Sequence, residues 1–177
     1  MKILVAYATR YESTAAVAKR IGETFRASGA DVDVREAHEV ESLDGIDAVV
    51  LGTPVYHGKP LVGATAFAKR LTCELSEMPT AFFIVGLGLA HPNEKFIRKV
   101  VKATKDIITT LHPRDVGLFG GALDYANVGR FMRWMMKLMK IREGDFRNWD
   151  VIARWADDVF GVLTGSDGTA DTSEDNG

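Results

Sequence analysis

The sequence predicts an α/β fold of the doubly wound kind, a five-stranded parallel sheet in the order 2-1-3-4-5 with helices on both faces. Three observations lead there. Short apolar runs alternate with helical patterns along the whole chain, the signature of β-α units around a parallel sheet. Two of those runs, at 48–52 and 80–86, are almost entirely apolar, as central strands covered on both faces must be. The first run passes straight into a hydroxyl-rich loop and then a helix.

The elements follow in order. Strands are expected at Lys2–Tyr7, Asp31–Glu36, 48–52, Thr80–Gly86 and 115–120. Helices fall between them, at about 13–28, 61–75, 93–111 and 149–163. Gly29 suits the C-terminal end of the first helix, Pro92 and Asn93 the start of the third, and Asp150 the positive end of the last. The connection 39–47 reads as a short helix or a turn. A domain over 1–163 is expected, followed by a small, polar, acidic tail, 164–177, that cannot offset its ordering entropy by burial and is read as disordered.

Composition narrows the class. The 177 residues are 46% hydrophobic with a net charge of -2, enough for one real core and without a nucleic-acid signature. Cys73 is the single cysteine, so neither a disulfide framework nor a cysteine metal site is expected, and it reads as a small buried apolar residue of the second helix. His38, His91 and His112 are too scattered to suggest a metal site. With no secretory signal at the start and no apolar run approaching a membrane span, a reducing cytoplasm is the expected setting, with any membrane contact peripheral.

In such a sheet a ligand sits beyond the carboxyl ends of the strands at the switch point, where three loops converge. The first carries Thr9, Arg10, Tyr11, Glu12, Ser13 and Thr14, and its backbone N–H groups meet a helix N-terminus, which favours a phosphate. The second carries Thr53, Pro54, Val55, Tyr56, His57 and Gly58, an aromatic, an imidazole and a glycine suited to wall a flat ring. The third carries Gly86, Leu87, Gly88 and Leu89, apolar and able to cover the ring's other edge. No catalytic residue stands out: His57 is suited to hydrogen-bond a ring edge or shuttle a proton, since imidazole titrates near neutrality, or is a solvated loop histidine, and Tyr56 reads as a ring-stacking or ring-edge residue ahead of a general acid. Arg10 is placed to pair with the phosphate or with Glu12.

A receiver domain would need an acidic cluster after strand one and an aspartate after strand three, and neither is present. The three loops together resemble the FMN site of flavodoxin-like proteins, with Thr9, Ser13 and Thr14 matching that family's Thr/Ser-x-Thr-Gly-x-Thr loop. Tyr11 stands where a hydroxyl residue is usual and Glu12 where the family has glycine. The run Tyr-Ala-Thr-Arg-Tyr-x-Ser-Thr, the segment 76–83 and the segment 120–125 with the basic, methionine-rich stretch after it are similar to the menaquinone-dependent protoporphyrinogen IX dehydrogenase branch of that family. The resemblance implies FMN as cofactor, a porphyrinogen as electron donor and a quinone as acceptor. Two other uses of the fold stay open: an electron carrier between protein partners, and a scaffold that has lost FMN, with Glu12 as the mark of loss.

Between strand five and the last helix the chain spends about 28 residues where a short connection is usual. An extra basic amphipathic helix is expected over 127–142, with Arg130, Arg133, Lys137 and Lys140 inside a stripe of roughly 80° and Phe131 and Trp134 on the apolar remainder. Such a helix suits an anionic membrane surface or the propionates and ring of a porphyrin, or it packs on the sheet edge with its cations in water.

Overall fold

The computed structural model describes residues 1–56, 58–123, 134 and 144–165. Its elements are β1 (Lys2–Tyr7), α1 (Ser13–Ala27), β2 (Asp31–Glu36), β3 (Ala48–Tyr56), β4 (Lys59–Pro60), α2 (Val62–Arg70), α3 (Thr72–Ser76), β5 (Thr80–Gly86), α4 (Glu94–Ala103), α5 (Lys105–Leu111), β6 (Val116–Gly120), β7 (Ala122–Leu123), β8 (Gly144–Asp145) and α6 (Trp149–Thr164). The sheet path β2-β1-β3-β5-β6 is parallel throughout, the 2-1-3-4-5 order expected from the sequence.

Strand alternation divides the core into two. Ile3, Val5, Val50 and Phe83 face α1 and α6, where Val17, Ile21, Phe25, Ile152 and Val159 complete one cluster. Leu4, Leu51, Phe82 and Ile84 face the other way onto Phe67, Leu75, Val100, Ile107 and Leu111 of α2 to α5. Both clusters are buried, so the sheet is clamped on two sides.

Several elements differ from the sequence reading for identifiable reasons. The helices expected at 61–75 and 93–111 are each two helices, broken at Leu71 and Thr104. At each break a threonine hydroxyl donates to a carbonyl four residues back, Thr72 to Ala68 and Thr104 to Val100, a bond that bends helices. The third strand extends to Tyr56 because Val55 and Tyr56 pair antiparallel with Pro60 and Lys59. The 39–47 connection is turn and coil. Cys73, read as buried, is exposed, because α3 is a separate short helix that buries Leu75 instead. Asn93 caps α4 as expected, its side-chain oxygen accepting the Phe96 N–H at 2.8 Å.

Trp155 packs edge-on against Phe119 and Phe83, whereas Trp149 is 36% exposed, so only the former is a core residue. The expected helix over 127–142 lies outside the described residues except for Trp134, which is 61% exposed. His57 and the tail beyond Gly165 also lie outside them. Among the described residues no helix is long and apolar enough to cross a membrane.

One close approach carries the far wall of the ligand cleft. A Cβ at Gly120 would lie 2.2 Å from the carbonyl oxygen of Phe146, and the Phe146 N–H donates to the Gly121 carbonyl at 3.1 Å. Only glycine lets the 144–147 segment cross the end of β6, since the opposing atoms are backbone and cannot rotate away. Gly120→Ala is therefore expected to lower stability by about 1–3 kcal/mol, the range of overpacked interiors. A shift of the urea midpoint smaller than the error of the measurement would refute the close approach.

Candidate functional site

The chain leaves β1 at Ala8, whose N–H donates to the Gly52 carbonyl at 2.9 Å, and turns into α1 within five residues. The turn requires a left-handed residue, and that residue is Glu12, at φ 62° and ψ -15°. Glycine adopts this conformation without strain, whereas other residues pay on the order of 1 kcal/mol. Glu12 therefore stands at the one loop position where backbone geometry explains a family preference for glycine.

At the start of α1 the N–H groups of Thr14 and Ala15 have no acceptor among the described residues, as expected for a first helical turn. The Thr14 hydroxyl is buried without a hydrogen-bond partner, which costs on the order of 1–3 kcal/mol unless a ligand answers it. Ser13 accepts the Ala122 N–H at 3.0 Å through Oγ, which leaves its own proton to donate. This donor set, two hydroxyls and the positive end of a helix, fits a phosphate. Thr9 has a buried, unpartnered hydroxyl too, but it lines an adjoining hollow of about 260 Å³ beside Tyr7 and His38.

From the phosphate end a cleft of about 490 Å³ runs along the carboxyl edge of the sheet, within the roughly 300–1,000 Å³ of ordinary ligand pockets. Tyr11, Glu12, Ser13 and Thr14 form one end, Pro54, Val55 and Tyr56 one wall, Gly86, Leu87 and Gly88 the opposite wall. The structure thus brings the three expected loops around one space. The remaining expected residues stand behind it. Thr53 is fully buried, accepting the Leu61 N–H at 3.2 Å and donating to the Pro54 carbonyl, which closes the β3–β4 turn. Leu89 is buried in the core beneath Gly86, and Gly58 is held at φ 77° beside Lys99. The Arg10 guanidinium lies 5.5 Å over the Tyr11 ring rather than against Glu12.

Tyr11 meets Tyr56 edge to face, ring centroids 5.8 Å apart at 90°, so an aromatic contact ties the phosphate loop to the ring wall. Burial, with a smaller contribution from Tyr11, pushes the Tyr56 hydroxyl up to about 12, against a weaker opposing pull from Arg10. Tyr56 thus presents a neutral O–H to the cleft throughout the physiological range.

Five contributors escaped the sequence reading: Ala16, Lys19, Gly121 to Leu123 as a unit, Val85 and Arg147. Lys19 sits six residues into α1, and helical side chains lean toward the N-terminus, a direction that could have suggested its reach to the cleft. Arg147 arrives through tertiary pairing alone, β7 with β8 at Ala122↔Asp145. Its guanidinium grips both oxygens of Asp145, at 2.8 and 2.6 Å, and stacks 4.6 Å over Trp149. Those bonds hold Asp145 below the usual carboxylate range.

Known proteins bear on this geometry. A flavodoxin domain model matches residues 4–148. The chain is 26% identical over 171 residues to a protein of Escherichia coli K12 named protoporphyrinogen IX dehydrogenase [quinone], covering 90% of this chain and 94% of that one. A Leishmania major protein of the same name is 25% identical over 152 residues, 80% of this chain and 65% of the relative. In three dimensions a Streptococcus pneumonia TIGR4 flavodoxin superposes with a TM-score of 0.61 at 14% identity, over 92% of this chain and 100% of that one. The open carboxyl edge, the phosphate-suited start of α1 and the matched family model agree with one another, and the chain belongs to the flavodoxin domain family.

Proposed function

We propose that the protein is an FMN-dependent oxidoreductase of the protoporphyrinogen IX dehydrogenase type, taking electrons from a porphyrinogen and delivering them to a quinone. The observation that carries the reading is the cleft itself: a buried, unpartnered Thr14 hydroxyl at a helix start, opening into a slot between an aromatic wall and a glycine wall. The similarity to the Escherichia coli protein across 90% of the chain supports the choice of donor and acceptor.

Ser13, Thr14 and the first N–H groups of α1 would hold the cofactor phosphate, and Tyr56 and Gly86 to Gly88 would flank the ring. Bound there, FMN supplies a centre that accepts two electrons and a proton and returns them. The protein's own work is placement. Val55 and Leu87 exclude water from the slot, Gly88 leaves room for the Phe96 ring packed against its wall, and the neutral Tyr56 hydroxyl offers a hydrogen bond without adding a charge. Lys19 and Arg147 bring positive charge to a cleft whose phosphate end also carries the Glu12 carboxylate.

The direct test is anaerobic assay of the FMN-loaded protein with protoporphyrinogen IX and a water-soluble quinone. Porphyrin formation dependent on both FMN and quinone is expected. A yellow protein that reduces no quinone would instead favour the electron carrier, and one that stays colourless with added FMN the scaffold without cofactor. Replacing Glu12 with glycine should tighten FMN severalfold in fluorescence-quenching titrations, because it removes both a carboxylate near the phosphate and a strained backbone. The gain should shrink at high salt; equal affinity at low salt would show that the carboxylate points away.

Tyr56 adds a pH signature. Its hydroxyl is raised from the ordinary 10.0 to about 12 in the folded chain, so the folded state holds a proton that the unfolded state has lost between those values. That contribution is complete below pH 10 and disappears as pH rises toward about 12. Spectrophotometric titration at 295 nm should show a tyrosine phase near pH 12 beside that of Tyr7, which is also raised, and Tyr56→Phe should abolish the phase near 12.

A further inference from the structure

A basic surface lies on α4 and β4, beside the turn that follows the Tyr56 wall of the cleft. On α4, Lys95, Arg98, Lys99 and Lys102 are all exposed, and Lys59 is exposed on the β4 strand against which α4 packs. Arg98 is answered by Glu94 at 2.8 Å, and Asp106 lies one turn beyond Lys102. Lys59, Lys95 and Lys99 form no ion pair among the described residues. Among the described residues they are unpaired cations on two adjoining elements, α4 and β4.

Their position is fixed by packing. An added Cβ on Gly58 would lie 2.8 Å from Cε of Lys99 and 3.5 Å from its Nζ, so the lysine stem rests directly on the turn that follows the Tyr56 wall. On the same helix the Phe96 ring lies under Gly88, 2.4 Å from where a Cβ would be, which sews α4 to the opposite wall. α4 therefore bridges the two loops that flank the slot. Lys99 is held beside the slot by contacts of its carbons, with its ammonium left unpaired. Lys95 stands one helical turn before it, roughly 6 Å along the axis.

We propose that Lys99, with Lys59 and Lys95, forms a carboxylate subsite beside the cleft that anchors the acid groups of a polycarboxylate electron donor. The assignment rests on the porphyrinogen reading above and adds the place where the donor's propionates dock. An ammonium whose stem is already immobilised loses little freedom when it pairs, and a carboxylate there brings the attached ring over the slot. The three cations supply one partner for each of two propionates and a spare. A lipid surface needs no such pinned residue, and the Glu94 and Asp106 carboxylates interrupt the stripe that would face it.

The test measures binding rather than turnover. FMN-loaded full-length protein is titrated with protoporphyrin IX, followed by porphyrin fluorescence, as wild type and as Lys99→Gln, Lys59→Gln with Lys99→Gln, and Lys105→Gln. Roughly tenfold weaker binding is expected for the single change and a larger loss for the double change, with Lys105→Gln unchanged. The porphyrin dimethyl ester should bind all four alike. Equal affinity of the free acid for wild type and double variant overturns the subsite while leaving the porphyrinogen reading in place. Failure of the wild type to bind either porphyrin, despite bound FMN, overturns that reading and the subsite together. Loss of sedimentation with phosphatidylglycerol vesicles at unchanged porphyrin affinity overturns the subsite in favour of a lipid surface.

Discussion

The cleft depends on the register of β3 against β1. The ladder runs from Ile3↔Ala48 to Tyr7↔Gly52, and the Ala8 N–H closes it on the Gly52 carbonyl. At that level the first strand ends while β3 continues four residues further to Tyr56. The phosphate loop therefore turns beside a wall taller than itself, and Tyr11 meets Tyr56 across the gap. A slip of one residue would turn Leu4 and Leu51 toward the opposite helix layer, so the two-sided core enforces the register that shapes the site.

The same register sends the helices to opposite faces. α1 leaves on the side shared with α6, while α2 to α5 take the other, because the chain reverses its direction of travel across the sheet between β1 and β3. The crevice at that reversal is lined by whatever loops end there, and here their chemistry is unequal. One end carries hydroxyls and N–H groups without an acceptor among the described residues, with a carboxylate among them; the walls are aromatic and apolar. This polarity suits an elongated ligand with a charged end and a flat body.

Glu12 is the local exception within this scheme. The left-handed turn into α1 is demanded by the short distance between β1 and the helix start, and glutamate occupies it at a cost in strain. The surroundings are not indifferent to its charge. Together with burial and Glu36, the Glu12 carboxylate helps raise the Tyr7 hydroxyl above its ordinary value. Lys19 lines the same cleft and opposes that negative charge, whereas the Arg147 charge is already answered by Asp145.

The sheet order, the three loops and most strand bounds were legible in the sequence because they follow from local patterns: apolar runs, a hydroxyl-rich turn and glycines at strand ends. Thr9, Thr53 and Leu89 were legible as neighbours of the cleft but not as residues turned away from it, since a side chain's direction within a loop depends on what packs beneath. The helix breaks at Leu71 and Thr104 were hidden because a threonine hydroxyl bonding backward leaves no trace in periodicity. Arg147 reached the cleft only through a tertiary contact, the pairing of β7 with β8, and Lys99 lies on Gly58 by packing alone. By itself the sequence determined a doubly wound sheet with a hydroxyl-rich loop at its switch point. The tertiary structure decided which cations stand beside that loop, because only packing brings residues as far apart in the chain as Ser13 and Arg147 into one cleft.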